Sequence, residues 1–217
     1  MIKVDLHTHS SASPDGGISP EQYLKALEDD GFDCLAITDH NTIDVALSLN
    51  KSLGERIIVG EEIATPEGEI IGLFLTKAIA PGQSPLAVVR AIKEQGGLVY
   101  IPHPLESLRS GLSRRALDNL VHDIDIVEVH NGRAVFQNRG PQAATWARIN
   151  RKVMAASSDA HGHKGLGTAY TMLVEIPNRD NLVRLLKTAR FVTNRAPLKT
   201  LLYPKINRLR KKLGGRK

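Results

Sequence analysis

Two histidines, one residue apart, follow the first apolar run of the chain and constrain its fold more than any other feature. Residues 2–6 have the composition of a short strand, and His7 and His9 come directly after it. Side chains alternate between the two faces of a strand, so both imidazoles point the same way. Two imidazoles on one face can hold one metal ion. A His-x-His pair also occurs by chance, so the rest of the chain decides its meaning.

Short apolar runs alternate with helix-like stretches along the chain. A helix after the first run is predicted by Ser19, Pro20 and Gln22, which form an N-cap, a first-turn proline and a capping box. Repeated alternation of this kind indicates an α/β fold with a largely parallel sheet. No glycine-rich phosphate loop follows the first strand, which argues against a dinucleotide-binding fold and a P-loop. The predicted strands are residues 2–6, 34–38, 56–59, 69–75, 98–101, 125–129, 153–156, 170–176 and 191–193.

Charge divides the chain into an ordinary body and a basic tail. Its 217 residues, 41% hydrophobic and 24% charged, suit one globular domain. Residues 205–217 hold seven of the 29 lysines and arginines and no acid, so the remaining chain is nearly neutral. The net charge of +6 therefore describes the tail, and it does not mark the body as nucleic-acid binding. We predict one domain over residues 1–197 and a basic tail, with apolar residues at helical spacing, over 198–217.

Cysteine content and hydropathy exclude several classes of protein. The single cysteine, Cys34, rules out an internal disulfide framework and a cysteine-rich zinc site, and its apolar neighbours predict a buried strand thiol. No apolar run approaches the roughly 18 residues of a membrane-spanning helix, and no secretory leader pattern opens the sequence. We therefore expect a cytoplasmic protein without a membrane span.

Residues of the types that bind metals follow five of the predicted strands. Each alone has an ordinary explanation as a loop residue, a helix cap or a solvated turn. Their joint placement is hard to explain that way, because the carboxyl ends of parallel strands share one face where sites are built. Imidazole and carboxylate together suit Mn, Zn or Fe. Besides His7 and His9, the residues are Asp15, Asp39, His40, Glu61, Glu62, His103, Asp159 and His161.

Five short motifs in fixed order resemble the PHP (polymerase and histidinol phosphatase) family of metal-dependent phosphoesterases. The motifs are DLHTH from Asp5, ITDH from Ile37, GEEI from Gly60, IPHP from Ile101 and SDAH from Ser158. The resemblance covers about residues 1–197 and is greatest to small stand-alone members that act on nucleotides or short RNA ends. It implies a distorted seven-stranded (β/α) barrel with metal ions on the face formed by the carboxyl ends of the strands.

The resemblance also implies a cluster of two to three divalent ions, with Mn, Zn or Fe as the candidates. Glu62 is preferred to Glu61 because the family's Gly-x-Glu spacing from Gly60 reaches it. Adjacent strand residues also point to opposite faces, so only one of the two glutamates faces the cluster. The implied ligands are His7, His9, Glu62 and Asp159 for the first ion, Glu62 and His103 for the second, and Asp15, His40 and His161 for the third.

Two departures from the family pattern bear on the site. The fourth strand of such proteins usually begins with a histidine that completes the second metal site, and Glu69 occupies that position here. A carboxylate there either shifts the preference toward harder ions or leaves the second site weak. The stretch between His103 and His130 is too short for the capping insertion of related enzymes, so we expect a barrel without a sizeable cap and an open pocket.

Further residues near the strand ends are candidates for substrate binding and proton transfer. Arginine binds phosphate through two parallel hydrogen bonds, so Arg109 and Arg133 are predicted phosphate ligands, although each could be a solvated loop residue. Asn131 and Lys164 are further candidates for substrate binding. The candidates for a general acid, or for a group that orients a metal ligand, are Asp39, His130 and His163.

Four functions are compatible with these residues. The preferred one is hydrolysis of a phosphate ester of a nucleotide or nucleoside bisphosphate by a metal-activated water. The basic tail favours a 5′-3′ exonuclease on short RNA or DNA ends, although such a tail could instead contact an acidic membrane or a partner, or be disordered. Four Phe, four Tyr and one Trp give little sign of a base-stacking platform. A histidinol-phosphate-type phosphatase and a non-catalytic metal-binding module are the remaining alternatives.

Overall fold

One mixed sheet with flanking helices makes up most of the chain. The structure is a computed structural model and describes residues 1–194 and 196–214. Its strands are β1 (Ile2–Asp5), β2 (Cys34–Ile37), β3 (Ile57–Thr65), β4 (Gly68–Leu73), β5 (Leu98–Ile101), β6 (Ile126–Asn131), β7 (Val153–Ser157), β8 (Ala169–Leu173) and β9 (Arg190–Thr193). Its α-helices are α1 (Pro20–Glu28), α2 (Asp44–Leu53), α3 (Pro85–Glu94), α4 (Arg114–Asn119), α5 (Gly140–Ile149), α6 (Leu182–Leu186) and α7 (Tyr203–Gly214).

The strand directions show that the sheet is mixed rather than largely parallel. The strand order is β7-β6-β5-β4-β3-β2-β1-β8-β9. β1, β2 and β3 pair in parallel, as do β5, β6 and β7. β4 runs antiparallel to both of its neighbours, because the tight turn after β3 leaves no room for a crossover. The predicted α/β class is confirmed, but the prediction of a largely parallel sheet is wrong for β4, β8 and β9.

The sheet has nine strands and not the seven that the family resemblance implied. The two additional strands, β8 and β9, pair antiparallel and continue the sheet beyond β1. Thr171 on β8 also reaches β7, where its Oγ1 accepts from the Ala156 amide at 3.0 Å and donates to the Ala156 carbonyl at 2.9 Å. The sheet therefore forms a nearly closed barrel, and a side chain joins β7 to β8.

Apolar side chains cover both faces of the sheet. One set, which includes Tyr23 and Trp146, lies between the sheet and the outer helices. The other set lies on the opposite face, where Val4, Cys34 and Tyr100 pack with the leucines of α6. Burial on both faces fixes the strand register, because a slip of one residue would exchange the faces. This core holds the strand ends, and the polar residues on them, in place.

Serine caps begin three helices, and the one at Ser19 was predicted from the sequence. The Ser19 side chain accepts from the Gln22 amide, and the Gln22 side chain accepts from the Ser19 amide at 3.0 Å. The predicted capping box is thus confirmed, and it satisfies amides that the first helical turn leaves without partners. Ser84 and Ser113 cap α3 and α4 through the amide three residues later.

The predicted basic tail is folded over most of its length. A 3-10 turn spans Leu198–Leu202, and α7 follows it directly. Arg216 and Lys217, the last basic residues of the tail, lie outside the described residues. Within residues 1–194 and 196–214, every helix is too short or too polar to cross a bilayer.

Candidate metal centre

Acidic and histidine side chains from six strands or their following loops converge at one end of the barrel. Because β4 is antiparallel, its start lies beside the carboxyl ends of the parallel strands, and this brings Glu69 into the group. Seven of these side chains line a pocket of about 280 Å³, while His7 and His9 are fully buried against them. The group consists of His7, His9, Asp15, His40, Glu62, Glu69, His103, Asp159 and His161, the nine predicted ligands.

The two N-terminal histidines lie at the centre of this ligand cluster. Their Nε2 atoms are 3.1 Å apart. Glu62 Oε2 lies 3.3 Å from Nε2 of His7 and 3.2 Å from Nε2 of His9. Asp159 Oδ1 lies 3.6 Å and 3.4 Å from the same two nitrogens. Donors around a tetrahedral ion with bonds of about 2.1 Å are about 3.4 Å apart. His7, His9 and Asp159 lie close enough together to be ligands of one ion, and Glu62 forms a second such group with His7 and His103.

Glu62 directs its two carboxylate oxygens to different neighbours. Oε2 contacts the N-terminal histidines, whereas Oε1 lies 3.1 Å from His103 Nε2. Glu69 continues the cluster, with Oε1 3.5 Å from His40 Nδ1 and Oε2 3.8 Å from His103 Nε2. Burial, and then the Glu62 carboxylate, raise the pKa of Glu69 to about 8. A cation between the two carboxylates would offset this repulsion.

Asp15 lies between two further histidines of the cluster. Its Oδ1 is 3.6 Å from His40 Nε2 and 3.5 Å from His161 Nε2. Burial raises the pKa of Asp15, but the two neighbouring imidazoles outweigh it and hold that pKa below its usual range. Burial, followed by His9 and Arg133, lowers the pKa of His161 to about 3. The His161 imidazole is therefore neutral at physiological pH, which is the form that binds a metal.

The chemistry of the donor set fits divalent metal ions. Four carboxylates and five imidazoles share the cluster, and buried charges of this kind are stable only when paired or bound to a metal. Mixed nitrogen and oxygen donors suit Mn, Zn or Fe. The assignment of the nine residues to particular ions, and the number of ions, stay predictions.

A buried glutamate on β6 supports the cluster from behind, and it was not among the predicted site residues. Glu128 accepts hydrogen bonds from His7 Nδ1 at 3.2 Å, the Tyr100 hydroxyl at 2.9 Å and the His103 amide at 2.7 Å. A proton on Nδ1 of His7 leaves the Nε2 lone pair facing the cluster. The sequence contained one signal for this role. Glu128 is a charged residue inside an apolar strand, and such a residue is seldom buried without partners.

Two of the candidate ligands have backbone conformations that residues other than glycine rarely adopt. The φ angle is +29° at His103 and +52° at Asp159. Glu128 holds the His103 amide, and the His7 carbonyl accepts from the Asp159 amide at 2.9 Å. Such strained residues persist where the surrounding structure fixes them, and they cluster at functional sites.

Three of the predicted catalytic or substrate-binding residues lie away from the ligand cluster. His163 lies 3.0 Å from Asp30, beyond the end of α1, and the neighbouring Lys164 is exposed. His130 is half-buried on β6, where an irregular register separates it from Glu128. Burial lowers the pKa of His130, which makes it a weak proton acceptor. The structure therefore does not bring these three side chains to the ligand cluster.

Asp39 lies behind the ligands rather than in the pocket. It is fully buried and accepts from the Ser10 amide at 2.6 Å and from the Ser10 hydroxyl. These bonds hold the loop after β1, which carries His9. This placement favours a role in orienting ligands over a direct role in proton transfer.

Arg109 and Arg133 line the pocket and contact the same candidate ligand. Arg109 Nη1 donates to Asp159 Oδ2 at 3.0 Å and also to Asn131 Oδ1. Arg133 Nη1 lies 3.4 Å from both Asp159 oxygens. Asn131 is buried, donates to Asp159 at 3.2 Å and does not itself line the pocket. Two partly exposed guanidinium groups make this wall attractive to a phosphate.

Helix α7 contacts the cluster, although the sequence gave no reason to expect it there. Arg208 donates to Asp15 Oδ2 at 2.8 Å and lines the pocket. Asn207 is buried, and its Nδ2 donates to the carbonyls of Asp15 and His161 at 2.9 Å each. Lys211 Nζ donates to carbonyls of the loop after β1, including that of Gly16 at 2.9 Å. Bonds from polar side chains to backbone carbonyls leave no periodic pattern, which is why the sequence did not reveal this docking.

Comparison with known proteins identifies the family. Residues 5–172 match the PHP domain. The chain therefore belongs to the PHP domain family, and the resemblance predicted from the five motifs is confirmed.

Individual relatives and solved structures agree with this membership. An uncharacterized protein of Methanocaldococcus jannaschii is 41% identical over 143 residues, which are 60% of this chain and 82% of the relative. A 5′-3′ exoribonuclease of Haemophilus influenzae is 37% identical over 100 residues, 43% of this chain and 36% of the relative. A two-domain protein of Bacteroides vulgatus, containing a predicted PHP-like metal-dependent phosphoesterase, has a similar fold with a TM-score of 0.73 at 20% identity, covering 95% of this chain and 69% of that chain.

Proposed function

We propose that this protein is a metal-dependent phosphoesterase of the PHP type and that its substrate is a nucleotide or nucleoside bisphosphate. One observation carries the proposal: the nine-residue ligand cluster and two arginines meet at one pocket. Divalent ions held by the cluster would supply Lewis acidity and lower the pKa of water toward about 7. This combination of groups serves hydrolysis of a phosphate ester and has no evident use in a purely structural metal site.

The side chains of the pocket have separate tasks in this proposal. Arg109 and Arg133 bind the phosphoryl oxygens and stabilise the charge that develops on them. Glu128 keeps the imidazole of His7 and the backbone of His103 in position. Asp159, held between the two arginines and the N-terminal histidines, couples the phosphate-binding wall to the ligand cluster.

The shape of the pocket suits a small phosphorylated substrate or the end of a polymer. Between β5 and β6 the chain forms only a 3-10 turn (Ser107–Arg109) and the short helix α4, so this connection contributes no sizeable cap. The pocket of about 280 Å³ has room for a phosphate group and part of the leaving group, while the rest of a larger substrate stays outside.

A hydrolysis screen with several metals tests the proposal. The substrates are nucleoside monophosphates, nucleoside bisphosphates and histidinol phosphate, each with Mn, Zn or Fe. We expect metal-stimulated release of phosphate from a nucleotide, a loss of at least about 100-fold in His7→Ala, and activity within twofold of wild type in His163→Ala. His163 is the matched control because it lies outside the cluster. A protein that binds metal but hydrolyses neither these esters nor an RNA or DNA oligonucleotide would be the non-catalytic module instead.

Exonuclease activity is the second candidate, and two observations favour it. A relative at 37% identity is a 5′-3′ exoribonuclease, and the basic helix α7 borders the pocket. Its exposed side chains Lys205, Arg210 and Lys212 could contact a polynucleotide backbone.

The triple variant K205A/R210A/K212A separates the two candidates without disturbing the docked residues of α7. An exonuclease should lose activity on a 5′-phosphorylated RNA oligonucleotide, and the salt dependence of that activity should weaken, while hydrolysis of a mononucleotide stays unchanged. If the wild-type protein cleaves mononucleotides but no oligonucleotide, the exonuclease candidate is wrong.

A further inference from the structure

A second, smaller cavity adjoins the metal pocket. It has a volume of about 150 Å³ and shares Arg109, Arg133 and Leu108 with that pocket. Its remaining wall includes the apolar side chains of Phe136 and Leu201. A group that leaves the phosphate-binding wall on this side therefore enters a space lined by these apolar side chains together with Glu106 and Gln137.

The apolar side chains of this cavity are unusually exposed. Phe136 is 85% exposed and Leu108 is 72% exposed, although both are large hydrophobic residues. Single exposed apolar residues are common, but these two come from different loops and face one cavity beside the candidate active site. An aromatic ring and a leucine that line one cavity can pack against a flat ring bound in it.

Hydrogen bonds between the two loops keep these walls in position. Gln137 Oε1 accepts from the Leu108 amide at 3.1 Å, and Gln137 Nε2 donates to Ser107 Oγ at 3.3 Å. Glu106, which is buried, accepts from Arg109 Nε at 3.0 Å and from the Arg139 amide at 3.5 Å. The cavity is therefore formed before a ligand arrives, and binding does not require the loops to be ordered at that moment.

We propose that this cavity binds the nucleobase of the substrate, with its ring against Phe136 and its phosphate at Arg109 and Arg133. The assignment rests on the proposed phosphoesterase function and adds the part of the substrate that the metal pocket cannot hold. Stacking on an aromatic side chain tolerates every base, so we expect preference for nucleotides over sugar phosphates but weak discrimination among the bases.

Two esters with the same sugar phosphate test the proposal, adenosine 5′-monophosphate and ribose 5-phosphate. For wild type we expect kcat/KM to be at least about tenfold higher for the nucleotide. Phe136→Ala should lose most of this difference while hydrolysing ribose 5-phosphate within twofold of wild type. Val135→Ala is the matched control, because Val135 is on the same loop and 43% exposed but does not line the cavity. Equal losses on both esters, or no loss on either, would overturn the assignment.

A binding measurement on metal-free protein separates this inference from the proposed function. Phe136→Trp places an indole at the cavity, and the single natural tryptophan, Trp146, is buried elsewhere against Asp118. In the presence of EDTA, adenosine should quench the new fluorescence saturably and ribose should not. Absence of quenching overturns the nucleobase subsite even if the enzyme is active. Quenching by adenosine in a protein that hydrolyses no ester retains the subsite and refutes the phosphoesterase function.

Discussion

Glu128 shows how one buried carboxylate can determine the state of the ligands around it. Burial raises its pKa, but the neighbouring His7 and its hydrogen bond outweigh burial, so the pKa of Glu128 is lowered and the group is ionised. An ionised carboxylate accepts a hydrogen bond from the protonated Nδ1 of His7, and this increases the basicity of Nε2, the other ring nitrogen. The same carboxylate also holds the amide of His103, so two candidate ligands from different strands depend on it.

Replacement of Glu128 by Gln should therefore weaken metal binding without removing any ligand. We expect the dissociation constant for Zn or Mn to rise about 10-fold or more, because the neutral amide cannot favour the required tautomer of His7 as strongly. Competition with a chromogenic chelator measures this constant. Glu67→Gln, on the exposed turn between β3 and β4, is the control and should bind metal as wild type does. Equal affinities in Glu128→Gln and wild type would show that Glu128 has no part in the site.

Glu69 is predicted to influence which metal binds beside Glu62 and His103. A histidine in its place would restore the pattern typical of the family and supply a softer donor. We expect Glu69→His to raise the ratio of Zn to Mn retained after equilibration with both ions, and Glu69→Ala to lower the number of ions per chain. Elemental analysis of the purified variants gives both quantities. If neither variant changes metal content or preference, Glu69 is not a ligand.

Secondary-structure elements were predictable from the sequence where neighbouring residues alone determine them. The capping box at Ser19 and the apolar strand that contains Cys34 were found from the sequence, because each depends on neighbouring residues. The direction of β4 was not found, since it depends on the turn that follows β3. The same antiparallel direction is what brings Glu69 to the cluster, so the ligand was predicted from family resemblance without the geometry that explains it.

Helix α7 is docked by its polar face and exposes its apolar face. Asn207, Arg208 and Lys211 contact the loop after β1 and the cluster, whereas Leu209 and Leu213 are 58% and 60% exposed. Amphipathic periodicity predicts the reverse arrangement, with the apolar side inward. From the sequence, the basic tail was therefore interpreted as separate from the site, and the three side chains by which α7 docks were not predicted.

Asn207→Ala should destabilise the protein, because the substitution leaves the buried carbonyls of Asp15 and His161 without this donor. We expect the free energy of unfolding to fall by about 1–3 kcal/mol. Urea denaturation followed by circular dichroism measures it. Leu213→Ala, on the outward face of the same helix, should change stability by no more than about 0.5 kcal/mol. A larger effect at Leu213 than at Asn207 would mean that α7 packs by its apolar face.

At the scale of the whole molecule, the ligand cluster joins strands that the chain order separates. Asp159 follows β7 and His7 follows β1, yet the Asp159 amide donates to the His7 carbonyl at 2.9 Å. Thr171 makes a further link where the barrel closes, from β8 to β7. The sequence predicted that polar strand ends share a face, and the family resemblance implied a barrel, but no local signal specifies which strands meet where that barrel closes.

Metal ions should consequently stabilise the entire barrel and not only the pocket. An ion that binds the folded chain alone at 100 times its dissociation constant adds about 2.7 kcal/mol to the free energy of unfolding. We expect Mn or Zn to raise the melting temperature of EDTA-treated protein, as followed by circular dichroism. Asp159→Asn, which removes a donor charge where β1 and β7 meet, should lose most of this increase, whereas His163→Ala should retain it. If Asp159→Asn and His163→Ala respond to the metal alike, the cluster does not bind the ion through the residues that join β7 to β1.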